Sequence, residues 1–160
     1  MDLGALMVGV VLILICSIPF VWISRNKRMK AQKLTQKLSA LAQQHGSDIA
    51  QYDLWNNSAI GIDSTGSKVF FTRQINQDEH SEVITLALVQ KCSILNTSQT
   101  SKIDKLDLVL KPKNHGSADI TLEFYNVAQD NPILNGQLQL IEKWFTILNT
   151  KVRNHPKALS

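Results

Sequence analysis

Cysteine is scarce: the chain has two in 160 residues, Cys16 and Cys92. A disulfide framework is thereby excluded as the source of its stability. Its seven glycines occur singly, so no Gly-rich loop is available to cradle a phosphate. Neither Gly-x-Ser-x-Gly nor His-Glu-x-x-His occurs, which removes the hydrolase nucleophile elbow and the zinc-protease helix. The four histidines, His45, His80, His115 and His155, lie far apart. Charge is missing altogether from Leu3 to Ser24, and acidic residues are missing from Arg25 to Ser47. These two gaps divide the chain into an apolar head, a basic segment and a longer part of mixed charge.

The uncharged run is 22 residues long, and 13 of them are Leu, Ile, Val or Phe. As a helix it would reach about 33 Å, against a hydrocarbon core of about 30 Å. Its insertion is favourable by on the order of 4 to 8 kcal/mol. Residues 1–24 are therefore expected to form a transmembrane helix. Cleavage as a secretory signal is not expected, since the only upstream charge is Asp2 and Trp22-Ile23 follow Pro19. Cys16 reads as a small buried hydrophobe.

Six cations come next without an acid among them: Arg25, Lys27, Arg28, Lys30, Lys33 and Lys37. Such a flank marks the cytoplasmic side, placing Met1 outside and the rest of the chain in the cytoplasm of a single-pass plasma-membrane or inner-membrane protein. Trp22 stands where an interfacial aromatic anchors, and Arg25, Lys27, Arg28 and Lys30 lie close enough to contact anionic lipid. The overall charge of +4 and pI near 9.1 come from this segment. Six of the 17 basic residues and one of the 13 acidic ones lie in residues 1–37, leaving 11 against 12 beyond. With no basic stripe in the rest of the chain, nucleic-acid binding is not expected.

Ala31, Leu34, Leu38 and Leu41 recur at helical spacing among good helix formers, so residues 25–46 are expected to form a basic helical stalk ended by Gly46. Two heptads fall short of a coiled-coil argument, which leaves homodimerisation through the stalk open. From residue 47 the period becomes 2, and seven strands are expected: Ile49–Trp55, Ala59–Asp63, Lys68–Thr72, Glu82–Val89, Lys91–Asn96, Ile103–Leu110 and Ala118–Tyr125. Ile84, Leu86 and Leu88 share a face, as do Leu106, Leu108 and Leu110, and Ile120, Leu122 and Phe124, the pattern of antiparallel sheet wetted on one side. Asn131 and Pro132 then open a helix over 132–152. Its apolar stripes, Leu134, Leu138, Ile141, Phe145, Leu148 and Val152 beside Leu140, Trp144 and Ile147, suit a helix that closes an open sandwich or barrel mouth. The β domain is expected over 47–153, and 154–160 is a tail.

Seven short antiparallel strands closed by an amphipathic helix resemble the pleckstrin-homology (PH-like) superfold over residues 48–153, with Gly61-Ile62-Asp63 and Lys68-Val69-Phe70-Phe71 as an early hairpin and Glu142-Lys143-Trp144 in the closing helix. The chain is also similar to small bacterial membrane-anchored proteins with such a module. The expected fold class is therefore α+β: a transmembrane helix, a basic helical stalk, and a PH-like sandwich or barrel capped by its last helix. Phosphoinositide-binding relatives carry cations in the first interstrand loop. Here that loop reads Leu54-Trp55-Asn56-Asn57-Ser58-Ala59 and has none. What the resemblance implies instead is a scaffold gripping a protein or peptide by strand addition, with the edge Lys91–Asn96, including Lys91 and Ser93, beside Leu140 and Ile147 of the helix.

No catalytic residue, metal ligand or cofactor site is expected. Asp78-Glu79-His80-Ser81-Glu82 is read as a solvated loop rather than a cation or zinc site, and Cys92 as a packing residue rather than a nucleophile. The expected function is a non-enzymatic adaptor or assembly protein with its domain in the cytoplasm. Its alternatives are anionic-lipid sensing by the basic flank with the domain, and an envelope assembly component with the domain on the far side.

Overall fold

The structure is a computed structural model and describes residues 28–98, 102–114, 116–130, 133–134 and 136–154. The expected transmembrane segment, with Trp22, Arg25 and Lys27, lies outside them. Among the described residues no helix is long and apolar enough to cross a membrane.

Helix α1 occupies 28–44. Its one β-branched residue, Thr35, turns its hydroxyl back onto the Ala31 carbonyl at 3.0 Å. The helix ends where Gly46 takes φ +66, with Gly46 N–H donating to Gln43 O and Ser47 N–H to Ala42 O, both at 3.0 Å. This is the left-handed glycine ending that the sequence calls for. The same reversal sends the next strand back along α1.

Four strands form the first antiparallel sheet in the order β1 (Ile49–Trp55), β2 (Ser58–Asp63), β3 (Lys68–Ile75) and β4 (Asp78–Thr85). The second is β5 (Val89–Thr97), β6 (Lys105–Pro112) and β7 (Ile120–Asn126). Two-residue turns join β1 to β2 through Asn56-Asn57 and β3 to β4 through Asn76-Gln77. Asn56 and Asn76 have φ +46 and +56, a region asparagine tolerates better than other side chains.

That second turn corrects an expectation. Asp78 to Glu82 is not a loop: β3 runs on to Ile75, and Asp78 pairs with it at the start of β4. The other end of the strand also differs. The expected strand to Val89 stops at Thr85, and a 3-10 turn, Leu86–Leu88, carries the chain from one sheet to the other. Ile84 and Leu86 are buried, but Leu88 is 66% exposed, because the turn breaks the alternation that would have put all three on one face.

Between the sheets lies the main core, with Ile60, Ile62, Val69 and Phe71 from the first sheet and Leu106, Leu108, Leu110, Leu122 and Phe124 from the second. Helix α2 (Gln137–Asn154) closes it with Ile141, Trp144, Leu148 and Val152. Large side chains buried this way contribute roughly 1.5 to 3 kcal/mol each. The helix begins later than expected. Gly136 has φ +82, outside helical space, and its carbonyl accepts from Leu140 N–H at 3.0 Å. Asn131 and Pro132, expected to open the helix, lie outside the described residues. Leu134 precedes α2 yet still packs half-buried against the core.

A second, smaller cluster sits on the outside of the first sheet, where Leu34, Leu38 and Ala42 of α1 meet Ala59 and Phe70. The basic segment is thus not a free stalk from residue 28 onward. β2 is buried on both faces, its isoleucines inward and Ala59 and Gly61 outward beneath α1. Small residues are needed there: a Cβ on Gly61 would lie 3.0 Å from Leu38 Cδ2 and 3.2 Å from Ile49 Cγ2.

Candidate functional site

The residues expected to form a partner groove fall on β5 and α2. Among the described residues β5 is an edge of the second sheet, hydrogen-bonded only to β6, and α2 lies chiefly against it. Along β5, Lys91 is exposed, Cys92 buried, Ser93 half-buried and Leu95 52% exposed. Leu140 and Ile147 flank the buried stripe of α2 and pack half-buried at the margin of the core. Trp144 is fully buried, its indole N–H donating to Asp53 Oδ2 on β1 at 2.9 Å, and Lys143 Nζ lies 2.6 Å from the same oxygen.

Where the two sheets converge, charged side chains gather around Arg73, which is only 4% exposed. Its guanidinium meets Asp130 Oδ2 at 2.9 Å, Glu123 Oε1 at 3.1 Å and the Glu123 carbonyl at 3.3 Å. Glu123 continues to Lys105 at 3.1 Å, and Lys105 to the buried Asp107 at 2.8 Å. Asp107 is the main cause of a raised Lys105 pKa, with burial opposing and Glu123 assisting. Two cations and three carboxylates are thus paired across β3, β6, β7 and the loop after β7, which is a structural use of charge.

The remaining chemistry-bearing candidates have similarly ordinary settings. Burial pushes the Cys92 thiol up to about 11, so it stays protonated and unreactive at neutral pH. Asp78 to Glu82 alternates along β4, with His80 Nε2 3.2 Å from Glu82 Oε1. Among the described residues no group of three His, Cys, Asp or Glu is placed to hold a metal ion.

Of the membrane-flank residues, Trp22, Arg25 and Lys27 lie outside the described residues, while Arg28 and Lys30 are exposed on α1. Lys30, Lys33 and Lys37 line a cleft of about 380 Å³ whose other wall is Asn57, Gln74 and Asn76, from the ends of the two hairpins. Lys37 forms an ion pair with Glu79. A polar cavity of about 280 Å³ adjoins it, sharing those three amide residues and adding Ser58, Arg73 and Asp130. At the opposite end a more apolar recess of about 560 Å³ opens between β4 and the β6–β7 hairpin, with Leu88 on its rim. Sequence reasoning missed the amide wall. The available signal was an asparagine in each two-residue turn, Asn57 and Asn76.

Set against known proteins, the chain matches no family model, no curated protein and no solved structure.

Proposed function

We propose that this is a non-enzymatic, single-pass membrane protein presenting a PH-like protein-interaction domain to the cytoplasm, as an adaptor or assembly factor. Residues 1–24 supply the anchor and the cations after them set its orientation. The element order behind the PH-like reading is kept: four antiparallel strands, three more, then a helix carrying a buried Trp144. The observation that carries the reading is the β5 edge. It is a nine-residue strand with one side unpaired among the described residues, next to a helix whose Leu140 and Ile147 are only half covered. Long free edges invite strand addition, and exposed Leu95 offers an apolar contact to whatever adds there.

The test is affinity purification of the full chain from detergent-solubilised membranes, beside a Leu95→Asp variant. A partner retained by the parent chain and depleted about tenfold or more by the variant, a loss of about 1.4 kcal/mol, supports strand addition at β5. Recovery of the chain alone, or equal recovery of a partner by both proteins, removes that edge as the interaction surface. Reporter fusions after residue 160 read the orientation.

A further inference from the structure

We infer that the cleft between α1 and the two hairpin turns binds a phosphate ester, with the headgroup of an acidic phospholipid as the source its position favours. This rests on the membrane-anchor reading for the source of the ligand, but not for the chemistry of the cleft.

The cations come from α1, an element outside the seven strands and closing helix. Lys30 and Lys33 are three residues apart and so lie on one side of the helix. Neither has an acid partner among the described residues, and α1 carries no acid at all. Lys37 completes the row but is held by Glu79. Facing them, the side-chain amides of Asn57, Gln74 and Asn76 make no hydrogen bonds among the described residues. Two ammonium groups opposite three uncommitted amides supply point charges for an anion and donors for its oxygens, while amide carbonyls remain to accept from headgroup hydroxyls.

Position favours a lipid as the source. The six steps from Ser24 to Lys30 span at most about 22 Å, and the headgroup layer is roughly 5 to 8 Å deep. The cleft therefore cannot stand far from the bilayer surface if residues 3–24 cross it. At about 380 Å³ it is also in the size range of small-ligand sites.

The test places the full chain in nanodiscs of phosphatidylcholine alone or with phosphatidylglycerol, and measures the acetylation rate of each lysine by mass spectrometry. Lys30 and Lys33 should slow about fivefold with phosphatidylglycerol, the factor corresponding to about 1 kcal/mol per lysine. Lys91 and Lys113, exposed elsewhere, should not change. A second arm adds glycerol phosphate to the phosphatidylcholine discs. Equal slowing there keeps the site and makes the soluble ester its ligand. In an Asn57→Ala/Gln74→Ala variant the slowing should vanish. If it persists undiminished, or if neither arm slows Lys30 and Lys33 in the parent chain, the cleft is no binding site. A chain that fails to enter the discs overturns the anchor reading alone, because glycerol phosphate still tests the cleft.

Discussion

The two helices carry similarly spaced apolar residues and use them in opposite ways. α2 closes the main core from the side of the second sheet, burying Ile141, Trp144, Leu148 and Val152 in it. α1 lies on the outside of the first sheet, and its Leu34, Leu38 and Ala42 meet only Ala59, Phe70 and their neighbours. One helix completes the main core; the other is applied to the outside of a sheet. Periodicity alone does not distinguish the two, because both satisfy the same spacing of three and four. The difference lies in the receiving surface: large side chains from two sheets around α2, and a strand stripped to Ala59 and Gly61 beneath α1.

Truncating the core-closing helix should have the largest effect. Trp144→Ala removes a fully buried indole and orphans its contact with Asp53, and is expected to cost about 3 to 5 kcal/mol. In a thermal melt the whole domain should lose its cooperative transition or shift far down. A melt unchanged from the parent would show that α2 does not hold the sandwich together.

For the applied helix, Leu38→Ala is expected to cost about 2 to 4 kcal/mol, but locally. Limited proteolysis should open the chain near residues 28–47 while the main transition survives. Loss of both together would make α1 as integral as α2 and erase the distinction.

The smallest effect concerns the point where the two helices end. The β2–β3 turn reaches both: Ser64 N–H donates to Asp48 O, Lys68 Nζ to His45 O at the end of α1, and Lys151 of α2 lies against Gly66. Asp63 holds that turn, its Oδ1 accepting from Ser67 N–H at 2.8 Å and Lys68 N–H at 3.0 Å, and its Oδ2 from the Thr65 hydroxyl at 2.6 Å. Burial raises its pKa, yet these donors outweigh it and hold the carboxyl below its ordinary 3.8. A depressed folded value adds stability above the unfolded pKa and loses it as pH falls through the folded one. Asp63→Asn should therefore cost about 1 to 2 kcal/mol at neutral pH, and parent and variant melts should converge below about pH 4. A gap independent of pH would assign the turn's hold to shape rather than charge.

Much of the β architecture was legible in the sequence. Leu106, Leu108 and Leu110 alternate because β6 has one face in the core, and Gly46 announces the end of α1. The β3–β4 hairpin was not legible, since Gln74, Asp78 and Glu79 lie beyond the part of the sheet that is covered and leave no apolar alternation to read. Nor was the start of α2, where Gly136 rather than Pro132 marks the boundary that the structure describes. The candidate sites divide in the same way. The elements that carry Lys91, Ser93, Leu140 and Ile147 were legible from strand alternation and helical spacing, whereas the cleft joins Lys30 and Lys33 to Asn57 and Asn76 through the docking of α1, a tertiary event with no local trace.

That docking has a mechanical side. Because the chain doubles back at Gly46, α1 runs antiparallel to β1, with Leu34 near the Asn57 turn and His45 beside Phe70 at the far end. A pull applied at residue 28 along the helix would travel the length of α1 before reaching the strand it feeds. Leu34, Leu38 and Ala42 would meet that pull in shear, together, so that tension on the anchor must slide the whole helix before it can unfold any strand.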